Sequence, residues 1–149
     1  MAITRTLANS LLYEMGLGNV NFGTNHFRVI LMAADFVFDR NLHVTYADIF
    51  ADELPAGGGY LSGGKELLIA RAWEQNNDTG GASIAWQDVE WSAGPGGIGP
   101  FISGIVLSYN DTTPNDSMIV GEVRLGTAIT ATDGISFFLV EPGFDLQGA

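Results

Sequence analysis

Two hydrophobic periods divide this chain. Over residues 4–15 the apolar side chains Leu7, Leu11, Leu12 and Met15 recur at helical spacing, with Thr4 or Thr6 as a cap and Gly16 and Gly18 as a stop. The spacing predicts one amphipathic helix within an N-terminal segment, residues 1–18. Its stripe is a candidate partner-facing surface, although packing on its own domain is the commoner fate of such a face. Beyond it the runs shorten to strand length: "HFRVILMA" (26–33), "KELLIARAW" (65–73), "ASIAWQDVEW" (82–91), "FISGIVLSYN" (101–110), "SMIVGEVRL" (117–125) and "GISFFLVEP" (134–142). Each is rich in β-branched or aromatic residues and is bounded by Gly, Pro, Asn or Asp.

Within 101–109, Phe101, Ser103, Ile105, Leu107 and Tyr109 point one way and Ile102, Gly104, Val106 and Ser108 the other. Both faces are largely apolar, which predicts a central strand. Between 82 and 91 the phase slips, with Ile84 and Trp86 on one face and Val89 and Trp91 on the other, and a bulge near Gln87–Asp88 would reconcile them. The connectors "NNDTGG" (76–81) and "NDTTPND" (110–116) have turn chemistry. Segment 34–64 is less regular: "TYADIF" (45–50) predicts a helical turn, and "ELPAGGGYLSGG" a loop. No helical segments separate the strands, so the pattern predicts a mostly β fold: an antiparallel β-sandwich with a short N-terminal α-helix. One domain covers residues 1–149, its sandwich spanning 26–145.

Composition narrows the function classes. Of 149 residues 46% are hydrophobic and 15% charged, and mean hydropathy is +0.19. Either the core is dense or a partner covers apolar surface. Seventeen acids against six bases give a formal charge of -11, which repels phosphate backbones and argues against nucleic acid as a partner. With no cysteine there is no disulfide and no thiolate metal site. No apolar run reaches the roughly 18 residues of a membrane span. "MAITRTLANSLLYEMG" is interrupted by Asn9 and Glu14 and makes a poor export signal, so the Asn-x-Thr sequons at Asn77 and Asn110 read as chance matches.

Candidate chemistry is sparse. "GGGYLSGGKELL" (57–68) holds Gly59, four residues, then Gly64 and Lys65, the spacing of a phosphate-binding loop. The next position is Glu66 where magnesium chemistry needs Ser or Thr, the upstream segment is not a buried strand, and the downstream run is strand-like rather than helical. Nucleotide binding is therefore not expected. His26 and His43 lack metal-ligand spacing, and Asp35, Asp39, Asp48, Asp52 and Glu53 lack a calcium-loop pattern. Turn acids such as Asp78, Asp111 and Asp116 more often bond their own backbone. Ser62 and Ser103 lack the glycines of a nucleophile elbow. No catalytic, metal or cofactor-binding residue is assigned, and the expectation is a non-enzymatic protein. Trp73, Trp86, Trp91, Tyr46, Tyr60 and Tyr109 would suit a sugar-stacking surface, but rings placed mid-strand beside aliphatic residues more often fill a core.

The order of several segments resembles a family of small virion proteins of tailed bacteriophages. After the helix come "FRVILMAADFVFD", "HVTYADI", "GGGYLSGGKEL", strands ending "DVEW" and "YND", and a pair near "IVGEVRLG" and "GISFFLV", across roughly residues 4–145. The family is similar to head decoration, or cement, proteins and to other non-enzymatic structural components of the particle, so a tail, neck or fibre-base protein is the alternative. The resemblance implies a β-sandwich located in the virion, made in the host cytoplasm and bound to the major capsid protein and neighbouring copies. It implies no nucleic acid, membrane or cofactor. It also implies that Gly59, Gly63 and Gly64 supply permissive backbone in a loop that binds no phosphate, with Tyr60 as its lid.

Overall fold

The computed structural model describes residues 3–76, 81–139 and 142–147. It is mostly β, with antiparallel sheets and one α-helix, as expected. The strands are β1 (Thr4–Leu7), β2 (His26–Ala33), β3 (Lys65–Leu67), β4 (Ile69–Asn76), β5 (Gly81–Trp86), β6 (Val89–Ser92), β7 (Ile98–Tyr109), β8 (Met118–Ala131), β9 (Ser136–Leu139) and β10 (Gly143–Gln147). A five-stranded sheet runs β1-β8-β7-β2-β3, a three-stranded sheet β10-β5-β4, and β6 pairs with β9. The five-stranded sheet supplies Phe27, Val29, Leu31, Val106, Val120 and Val123 to the main core. Ile84, Trp86 and Phe144 from the smaller sheet and Trp91 from β6 meet them, which makes the sandwich.

The N-terminal helix is shorter than its apolar spacing predicts. Residues Thr4–Leu7 form β1, paired with Gly121–Arg124 of β8, and only Ser10–Gly16 is helical (α1). Thr4 and Thr6 alternate with Arg5 and Leu7, so the segment fits a pleat as well as a helix, and the long-range ladder decides. The N-cap is Asn9 rather than Thr4 or Thr6. The predicted stripe is consequently split: Leu7 belongs to β1, Leu11 is buried in the main core, Met15 packs beside it, and Leu12 points to solvent.

Two predicted strands are each divided between sheets. The run 65–73 breaks at Leu68, between β3 and β4. The expected bulge at Gln87–Asp88 is instead a crossing from β5 to β6, held by Gln87 N–H donating to Leu68 O at 2.7 Å. By changing sheet the chain returns Val89 and Trp91 to the core that holds Ile84 and Trp86. In β7 the predicted alternation holds from Ser103 onward. A register shift opposite Met32 and Ala33 then sends Ile102 to the side of Ile105 and Leu107, and leaves Phe101 in the main core.

A second core occupies the other face of the five-stranded sheet. Ile30 and Met32 of β2, Ile105 and Leu107 of β7 and Ile119 of β8 are covered there by Phe36, Tyr46 and Ile49. These covering residues come from the irregular 34–60 segment, whose only helical pieces are two 3-10 turns, Tyr46–Asp48 and Phe50–Asp52. Burial on both faces explains why "HFRVILMA" is apolar throughout. Of the connectors, 110–116 contains the 3-10 turn Pro114–Asp116, while residues 77–80, with the Asn77 sequon and Asp78, lie outside the described residues.

Candidate functional site

The glycine-rich loop closes around a half-buried carboxylate, Glu53. Tyr60 is wholly buried, and its hydroxyl accepts the Leu31 N–H at 3.0 Å while donating to Glu53 Oε2 at 2.5 Å. Tyr46 donates its hydroxyl to Glu53 Oε1, and Gly63 N–H donates to Oε2 at 2.9 Å. Burial first, then the hydrogen bond to Glu53 and its charge, pushes both phenols well above their ordinary value. Arg28 fixes the loop's end, donating to Gly63 O and Gly64 O, each at 2.8 Å, with its guanidinium over the Tyr109 ring. Tyr60 is thus an interior plug rather than a lid.

Those contacts also occupy several of the amides that a phosphate-binding loop would need free. The amide of Gly63 is taken by Glu53, that of Gly64 by Leu61 O, and those of Gly57 and Tyr60 by each other's carbonyls. Lys65 turns to Glu90 O at 2.6 Å and lies near the Trp91 ring. Gly57, Gly58, Gly59, Gly63 and Gly64 all have positive φ, so the permissive backbone expected of Gly59, Gly63 and Gly64 is present. In the sequence Glu53 stands out only as part of an acidic cluster. Tyr46, Glu53 and Tyr60 meet through tertiary folding.

A fully buried carboxylate, Glu122 on β8, lies under the 34–44 turn. Burial raises its pKa above the ordinary 4.5; Ser103 and Arg124 nearby oppose the rise. Ser103 Oγ is itself buried and makes no hydrogen bond of normal geometry. Arg124 Nη1 donates to Phe36 O at 3.0 Å and reaches Glu122 Oε2 at 3.5 Å. A raised folded value means that the folded chain holds this proton more tightly than the unfolded one. Glu122 therefore favours folding most at low pH, and the contribution is lost as pH rises from 4.5 through the folded value. Glu122→Gln is expected to flatten that part of the pH–stability curve, measured by urea denaturation across the acid range. An unchanged slope would assign the dependence elsewhere.

The remaining candidates that are described lie in turns, at the surface or in the core. Asp48 caps its own turn by accepting from Val44 and Thr45 N–H at 2.9 and 3.0 Å, which holds its pKa low. In the 110–116 turn Asn110 plays that part, accepting from Thr112 and Thr113 N–H. His26 is exposed, with Glu66 at 3.4 Å and Asp111 at 3.9 Å. Among the described residues no group of three His, Asp or Glu could hold a metal ion, and no helix is long and apolar enough to cross a membrane. Trp86 and Trp91 are 0% and 1% exposed, so neither offers a ring face to a sugar; the side chain of Trp73 lies outside the described residues. Tyr46 and Tyr60 are buried as well.

The surface is more distinctive than any cavity. Leu12, Tyr13 and Leu17 in and just after α1, and Val37 and Leu42 in the 34–44 turn, are all more than half exposed. Asn9 joins the two segments: its N–H donates to Arg40 O at 2.9 Å, Arg40 Nε donates to its Oδ1 at 2.7 Å, and its amide donates to Asn41. Phe50 and Leu61, also exposed, flank the Tyr46–Glu53–Tyr60 cluster.

No family model, no curated protein and no solved structure matches this chain. Of the residues singled out from sequence, the structure unites Tyr60, Gly63 and Gly64 in one bonded loop with Glu53. It separates Leu7, Leu11 and Met15 from the exposed surface. Of the stripe only Leu12 remains outward, joined there by Tyr13, whose position the helical period did not select.

Proposed function

We propose that this chain is a non-enzymatic structural protein of a tailed-bacteriophage virion, a head decoration protein that binds the major capsid protein and neighbouring copies of itself. The observation that carries the reading is the outward apolar set Leu12, Tyr13, Leu17, Val37 and Leu42. It is presented by two hydrogen-bonded segments on a protein that already has two internal cores. Side chains of this size left in water on adjoining segments suit a covered face better than a free one. The resemblance in segment order names the class of partner, and the net charge of -11 would keep decorated particles from adhering to each other. Attachment adds buried contact between shell subunits and so raises the barrier to rupture.

The test pairs Leu12→Asp with Leu42→Glu. Both sites are exposed, at 66% and 71%, so the melting temperature should hold. Burying each leucine against a partner contributes about 1.5–3 kcal/mol. The double variant should therefore bind shells at least about a hundredfold more weakly in co-sedimentation. Equal retention of variant and parent on shells would overturn this face. Failure of the parent to bind shells at all would overturn the decoration role. A fixed high ratio to the shell protein separates a decoration protein from a tail, neck or fibre-base component.

A further inference from the structure

The 36–43 turn is closed by a hydrogen bond that only a neutral imidazole can make. Asp39 N–H donates to His43 Nδ1 at 3.0 Å, so Nδ1 carries no proton and the ring proton sits on Nε2. The same two residues are joined again by His43 N–H to Asp39 O at 2.9 Å. The imidazole stacks on Phe36 and lies tilted against Phe38, with each ring centroid 5.7 Å away. Phe36 is the turn's anchor in the second core, and its carbonyl takes Arg124 Nη1. On the outer side, Asp39 Oδ1 accepts from Asn41 and Leu42 N–H, which sets the pose of exposed Leu42.

We propose that His43 is an acid-released clasp on the 36–43 turn. Protonating Nδ1 sets a donor against the Asp39 N–H and breaks the bond. The turn then loosens over the second core, and Val37 and Leu42 lose their fixed geometry. Asp48 on the 3-10 turn Tyr46–Asp48 and Glu122 on β8 are coupled electrostatically to His43, Asp39 and Arg40 lie within the turn, with the Arg40 guanidinium on Asn9, and Arg124 of β8 sits between Glu122 and Phe36 O. Asp48 and Glu122 attract an imidazolium, and Arg124 repels one. The Asp39 and Asp48 carboxylates are already engaged by the Asn41, Leu42, Val44 and Thr45 amides, so the Asp39 amide is left without its acceptor. The clasp itself stands whatever the exposed face binds. An acid-weakened attachment would follow only on the docking reading above.

Amide hydrogen exchange and histidine ring 15N shifts test the clasp on the full chain between about pH 8 and about pH 5, the interval in which imidazoles change charge. In the parent, the Asp39 amide should lose at least about tenfold in protection factor across that interval, while amides of β7 hold. The 15N shifts should report an unprotonated Nδ1 at the upper end. His43→Asn supplies a carbonyl acceptor that cannot be protonated, and its protection should be independent of pH. Glu122→Gln should keep the parent's response. Constant Asp39 protection in the parent, or the same loss in His43→Asn, would overturn the proposal. So would an Nδ1–H tautomer at the upper pH, a readout that does not depend on any variant folding.

Discussion

Gly64→Ala is expected to cost about 3–5 kcal/mol, a large part of the stability of a domain this size. Gly64 has φ +66°, and a methyl group there would lie 1.8 Å from Val29 O and 2.9 Å from the Ile30 Cα. Neither atom can yield easily. Val29 is held in the ladder on both sides, opposite Lys65 of β3 and Val106 of β7, and its side chain is fully buried. The substitution therefore adds left-handed strain of about 1–2 kcal/mol to a clash that only displacement of a central strand can relieve. Gly96→Ala is the control, since its φ is +93° but nothing lies within 4 Å of the added methyl; only the strain should appear. Gly16→Ala, at the end of α1 in open space, should be neutral or stabilising by up to about 1 kcal/mol. Urea midpoints give the ranking. Equal losses for Gly64→Ala and Gly96→Ala would mean that β2 yields where the ladder says it should not.

The elements legible in the sequence are those whose burial is uniform along the segment. Residues 26–33 and 101–109 read as strands because both faces are covered, and β8 read correctly over its apolar start. What was hidden depends on partners distant in sequence. The breaks at Leu68 and Gln87–Asp88 look like ordinary phase noise until the second sheet gives them a reason. Thr4–Leu7 is too short for period to arbitrate, and Gly121–Arg124 decides it from the far end of the chain. The second core was invisible for a different cause: Phe36, Tyr46 and Ile49 cover it from irregular backbone, where side-chain direction follows no period. The outward set was half legible at best, since composition announced an apolar excess while the helical stripe selected residues that mostly turn inward.

Glu53→Ala is expected to cost about 3–5 kcal/mol, because one small truncation strips the acceptor from three donors at once. The Tyr46 and Tyr60 hydroxyls and the Gly63 N–H all converge on this carboxylate, and Tyr60 has no access to water. Leaving a buried donor unpaired costs about 1–3 kcal/mol, which exceeds what any one of these bonds contributes when made. Glu53→Gln keeps one carbonyl acceptor and should fall between alanine and the parent. Tyr60→Phe removes one donor but also orphans the buried Leu31 N–H, so the two substitutions share a network. A double-mutant cycle between them should show a coupling of about 1–3 kcal/mol, and a sum within about 0.5 kcal/mol of additivity would deny the network. The phenols supply an independent reading. Both are held un-ionised in the fold by burial and the adjacent charge, so their share of stability is intact below the ordinary tyrosine value of 10.0 and declines as pH climbs above it. Tyr46 and Tyr60 should resist ionisation in an alkaline absorbance titration until the chain unfolds. In Glu53→Ala the coulombic part of that resistance should vanish while the part due to burial remains. If both tyrosines ionise reversibly near 10.0 in the folded parent, the loop is not closed on Glu53 in solution.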